Sequence, residues 1–132
     1  MKAHLALAAL LVALAPGGDA TAHHSFAATF DASKAIRVTG KLAKVEWTNP
    51  HIYFYVDVTD EKGTVVRWAC ESGAPGALSR RGFKRSLLKL GDELIVDGYQ
   101  AKNGANLMDA RRVTLPDGQI LVGASAGDGG PQ

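Results

Sequence analysis

The residues of this chain best suited to chemistry are few, and they gather at two places. His23-His24 follows directly on Ala20-Thr21-Ala22, and His51 follows directly on Thr48-Asn49-Pro50. A peptidase cut after Ala22 makes His23 an amino terminus, so that its α-amine and ring nitrogen can chelate one metal ion. A second imidazole, from His51 or His24, then completes a T-shaped set of three nitrogens that suits Cu(II). A cut two residues earlier leaves Thr21-Ala22-His23. The amine, two amides and third-position imidazole of that terminus make a square plane, which also suits copper. His23, His51 and His24 are therefore the candidate metal ligands, with copper the cofactor they imply. The plainer reading is that terminal histidines fray into solvent and that a corner histidine bonds a backbone carbonyl.

Two further groups could meet a ligand. Tyr53 and Tyr55 share the parity of His51 and lie opposite Ile52, Phe54 and Val56. Aromatic residues on such a face stack on sugars or bases, which makes Tyr53 and Tyr55 candidates for a small ligand or an envelope polysaccharide; otherwise they are ordinary outward strand aromatics. Arg80, Arg81, Lys84 and Arg85 form a basic run that either docks an acidic protein partner or is a solvated rim. Cys70 falls in phase with Val66 and Trp68 and reads as a buried, inert thiol. Glu46 and Glu71 can face each other across strands. No nucleophile elbow, zinc-spaced cysteine pair, His-Glu-x-x-His or phosphate loop occurs, so the chain is read as a non-enzymatic module.

The elements that must position these residues are short strands. Ile36 to Trp47 reads as a long first strand whose apolar parity changes between Leu42 and Val45, as a β-bulge produces. Pro50 ends it. Ile52 to Thr59 alternates cleanly and forms the second strand. Asp60-Glu61-Lys62-Gly63 is a hairpin turn, and Thr64 to Glu71 is the third strand. Ser72 to Gly82 reads as one short helix, with Ser72 or Gly73 as its cap and Gly82 just past its end. Two more strands follow, from Leu94 to about Ala101 and from Leu107 to Leu115, with a short Ile120-Leu121-Val122 after them. Three strands, a helix and two strands make an all-β domain with one short helix, a five-stranded OB-like β-barrel. A small β-sandwich is the alternative.

The remaining sequence bounds the compartment. Lys2, the apolar run from Ala3 to Ala15 and Ala20-Thr21-Ala22 have the form of an export signal, so residues 1–22 are expected to be removed and the protein to be periplasmic. The run is shorter than the roughly 20 residues that span a bilayer, and no transmembrane segment is expected in the mature chain. One cysteine allows no internal disulfide. A net charge of +2 is not the footprint of a nucleic-acid binder. Residues 23–35 are expected as an N-terminal arm, 36–123 as the barrel, and the Gly-rich 124–132 as a disordered tail.

Several motifs recur together: Ala22-His23-His24-Ser25-Phe26, Val45-Glu46-Trp47-Thr48-Asn49-Pro50-His51, Arg80-Arg81-Gly82, Leu90-Gly91-Asp92 and Val113-Thr114-Leu115-Pro116-Asp117-Gly118. In this combination the chain resembles a bacterial family of short exported proteins known as a domain of unknown function. The resemblance implies export and a compact β-barrel and brings no activity. In architecture alone the chain is similar to periplasmic OB-fold proteins. The sequence-level expectation is a periplasmic module that binds copper through His23 and His51. A polysaccharide-binding module and a protein-interaction module are the alternatives.

Overall fold

The computed structural model describes residues 26–125 and 127–131; His23 and His24 lie outside the described residues. The elements run α1 (Phe26–Thr29), β1 (Phe30–Glu46), β2 (Tyr53–Thr59), β3 (Val65–Glu71), α2 (Pro75–Arg80), a single 3-10 turn (Arg85–Leu87), β4 (Glu93–Ala101), β5 (Leu107–Thr114) and β6 (Ile120–Val122). Strands neighbour one another in the order β3-β2-β1-β4-β5-β6, and β3 also pairs with β5 in parallel. That last pairing turns the sheet into a ring of five strands, the OB-like arrangement expected of the sequence. β6 hangs on the outer edge of β5.

Alternation decides which side chains fill the ring. Ile52, Phe54 and Val56 are fully buried. Cys70 from β3, Leu94 and Val96 from β4, and Met108, Ala110 and Val113 from β5 meet them. Leu78 of α2 and Phe83 behind it close one end, with Phe83 set against the Trp47 ring at 5.8 Å. Each Val, Leu, Ile, Phe or Met side chain among them contributes roughly 1.5–3 kcal/mol by leaving water, so the apolar parity fixes the register of every strand. The phase change in β1 is the expected bulge: Leu42 pairs with Val56 and Lys44 with Tyr55, leaving Ala43 as the extra residue.

Two expectations need correction. The first strand begins at Phe30 rather than near Ile36, after a one-turn helix. No period is visible from Ala27 to Ala35 because pairing with β4 is irregular between Phe30 and Ala35. There Ser33 bonds the Asp31 carboxylate through both its N–H and its hydroxyl. The helix cap is Ala74, with no side-chain capping bond, rather than Ser72 or Gly73. Ser72 is buried, and its hydroxyl donates to the Ala110 carbonyl at 3.5 Å. Gly82 does stand past the helix end with φ +88°.

A second layer lies outside the ring. Phe26, Phe30 and Ala101 are buried together, with Tyr99 and Leu107 packed against them. The Phe26 ring meets Phe30 at 5.8 Å and the edge of Tyr99 at 5.5 Å. The Phe26 N–H donates to the Asp128 carbonyl at 2.9 Å. Segments from both ends of the described chain thus cover one patch of outward-facing strand residues.

Candidate functional site

What lies under that cover is polar. Across the strands the register runs Glu46↔Tyr53↔Glu71↔Asp109↔Tyr99. All five residues have the parity opposite to the core, as Phe54, Cys70 and Met108 beside them show. Glu46 and Glu71 therefore flank Tyr53 rather than facing each other. Glu71 and Asp109 are nonetheless buried, because Phe26, Phe30 and the segment around Asp128 roof them over.

His51 enters this patch from the corner. Asn49–Pro50 is a cis peptide bond. The backbone beyond the corner is pinned to the end of β3: Ile52 N–H donates to Gly73 O at 3.1 Å and Ser72 N–H to Ile52 O at 3.0 Å. The His51 ring is thereby held with Nδ1 3.1 Å from the Ser72 carbonyl and 3.8 Å from Glu71 Oε1. A carbonyl only accepts, so Nδ1 carries the proton in that bond. Nε2 is buried and has no hydrogen-bond partner. His51, Glu71, Asp109, Asp128, Phe26 and Phe30 all line one small, partly open cavity of about 10 Å³, close to the space of a single water molecule or ion.

The charges around the cavity are uneven. Arg111 is nearly buried, pairs closely with Asp109 through Nε and reaches Asp128 Oδ2 at 3.1 Å through Nη2. One guanidinium thus serves two carboxylates, with Glu71 as a third nearby acid. Burial pushes the Asp109 carboxyl up to about 6; Arg111 pulls it down, and the charge of Asp128 adds to the rise. The Tyr53 hydroxyl is bonded to Glu71, and burial followed by that bond raises its pKa. This set is what the sequence did not reveal. Asp109 and Arg111 sit two apart on a strand, a spacing that ordinarily marks a solvated face.

The other predicted residues fall elsewhere. Tyr55 donates to Glu46 at 3.0 Å, and Lys44 lies over its ring at 5.2 Å. Tyr53 and Tyr55 therefore share the outer face of β2, but each is committed to a different glutamate. Arg80, Arg81, Lys84 and Arg85 are exposed around α2. Within this run Arg81 donates to Ala124 O at 2.5 Å, and Arg85 caps Leu88 O at 2.8 Å. Cys70 is fully buried among apolar residues, and burial raises its thiol pKa. His23 and His24, outside the described residues, have no assigned place relative to His51.

Residues 10–108 match a family described as a family of unknown function, DUF6152. The chain belongs to that family. The matched span holds the His51 corner, Tyr53 and Glu71, and ends one residue before Asp109. No curated protein and no solved structure matches the chain. Among the described residues no helix is long and apolar enough to cross a membrane.

Proposed function

We propose that the protein is an exported, non-enzymatic binding module of the periplasm whose metal-binding element is His51 together with the mature N-terminal His23, with His24 in reserve, and whose metal is copper. The observation that carries this is the state of the His51 ring. Its Nδ1–H is spent on a backbone carbonyl, and its buried Nε2, on a residue that lines a small polar cavity, has no hydrogen-bond partner. Ligating histidines are commonly oriented in this way, the second nitrogen held by a carbonyl. Among the described residues no three of His, Cys, Asp and Glu form a metal-holding set; in this reading the remaining nitrogens are those of the N-terminal histidines. Phe26, three residues after His23 in the sequence, walls the same cavity.

The test begins with the intact mass of the exported protein, which fixes the first residue, followed by Cu(II) titration of the same material. Stoichiometric binding that is lost in both His23→Ala and His51→Ala supports a copper site built on the corner. Binding lost only with His23→Ala reduces the site to a flexible terminal chelate. Equally weak binding in all three proteins overturns the reading and leaves a water molecule as the partner of Nε2.

A further inference from the structure

A second cleft on the outer face adjoins the roof of the His51 cavity, with Ser125 lining both and Arg111 standing between them. It encloses about 460 Å³ between Ile36 of β1, Tyr99 of β4, Arg111 and Arg112 of β5, Val122 of β6 and Arg81 from the end of α2. That is the volume of a site for a small organic molecule. Its charge is set by a row of cross-strand partners, Arg37↔Asp97↔Arg112↔Val122. Asp97 has an arginine on each side and gives itself to one of them: Arg37 Nε and Nη2 reach its two oxygens at 2.6 and 3.1 Å. Arg112, on the other side, is exposed and has no acidic partner among the described residues. Arg81 is held at the rim by its bond to Ala124 O, again with no carboxylate among its described partners. Arg111 forms the inner wall, its charge already met by Asp109 and Asp128, while its buried Nη1 lacks a hydrogen-bond partner.

Two unanswered guanidinium groups therefore stand over a concave wall of Ile36, Tyr99 and Val122. Val122 is 49 % exposed although it lines the cleft. Arginine pairs with carboxylate, sulfonate or phosphate through parallel N–H bonds, and its weak hydration makes it the cation best suited to an apolar rim. A bare anion would leave the apolar wall in water, and a neutral ligand would leave both cations unanswered. We infer that this cleft binds a small amphiphilic organic anion, a carboxylate or sulfonate head carried on an aryl or medium-chain alkyl body. The head sits between Arg81 and Arg112, and the body lies against Ile36, Tyr99 and Val122. His51 is not among the residues that line this cleft, although Ser125 lines both it and the His51 cavity.

The probe is 8-anilinonaphthalene-1-sulfonate, titrated by fluorescence into the folded protein, with laurate as competitor. Saturable one-to-one binding, displaced by laurate, is expected. Amide shifts should concentrate at Ile36, Tyr99, Arg112 and Val122. The double variant Arg81→Gln/Arg112→Gln, whose side chains are exposed, should keep the native near-UV spectrum and bind about tenfold more weakly or worse. Val122→Asp, which sets a carboxylate against the apolar wall, should also weaken binding, and His51→Ala should leave it unchanged. Absence of saturable binding, undiminished binding in the arginine variant, or shifts centred on Tyr53 and Tyr55 would overturn the inference. Equal displacement by inorganic phosphate would reduce the cleft to a plain anion site and overturn the amphiphile assignment.

Discussion

Replacing Asp109 by asparagine should change how stability responds to pH, in a direction opposite to ordinary acid denaturation. The carboxyl is nearly inaccessible, and burial raises its pKa from 3.8 to about 6 despite the pull of Arg111. In the window between those values the native state holds a proton that the unfolded chain has released. Stability therefore falls as pH rises, by 2.303RT for each pH unit and each proton. The contribution is intact below about pH 3.8 and is lost by the time pH passes 6. Over that interval of roughly two pH units, at about 1.4 kcal/mol each, the loss reaches about 3 kcal/mol. Asparagine mimics the protonated form and has no such window. Urea unfolding of wild type and Asp109→Asn at steps from pH 4 to 7.5 measures the difference directly, and titration of other groups largely cancels between the two proteins. The variant should gain up to about 3 kcal/mol relative to wild type across the series, most of it between pH 4.5 and 6.5. A difference that stays flat with pH would refute the reasoning, because it would mean that Arg111 keeps Asp109 ionised throughout.

Two other outcomes follow from the packing. A Cβ on Gly98 would stand 1.8 Å from the Asp109 carbonyl oxygen, so Gly98→Ala must push β4 away from β5 at their bulge and should destabilise by about 2 kcal/mol or more in urea unfolding. Cys70 is fully buried with its thiol pKa raised; an aromatic disulfide reagent should label it only as fast as the protein unfolds, and prompt labelling of the native state would contradict the core described here.

How much of this was readable from the sequence depends on what the side chains report. The alternation of Ile52, Phe54 and Val56 against Tyr53 and Tyr55, the parity change in β1 and the Asp60–Gly63 turn are local signals, and each survives in the fold because burial on one face enforces it. The parallel pairing of β3 with β5 has no local signature; it emerges only from the count and order of elements. The start of β1 escaped because its pairing is irregular and its anchors, Phe26 and Phe30, pack outside the ring rather than in the core. The buried acids escaped for the same reason. Glu71 and Asp109 have solvent parity in a bare barrel, and nothing in their own strands says that segments around Phe26 and Asp128 will cover them. The corner carrying His51 was visible through Pro50, whereas the direction of its two ring nitrogens was not.

The hydrogen bond between Phe26 N–H and the Asp128 carbonyl carries a topological consequence. It places two residues more than a hundred positions apart in sequence next to each other at the seam of the covering layer. A short linker joining the chain near these points would span almost no distance and would turn the protein into a near-circular polypeptide. New ends could then be cut at the exposed Asp60–Gly63 turn, at the hairpin between β2 and β3. Such a permutant would keep every strand pairing while freeing its ends from the roof over Glu71 and Asp109, so the order in which ring and roof assemble becomes a matter of where the chain is opened rather than of the fold itself.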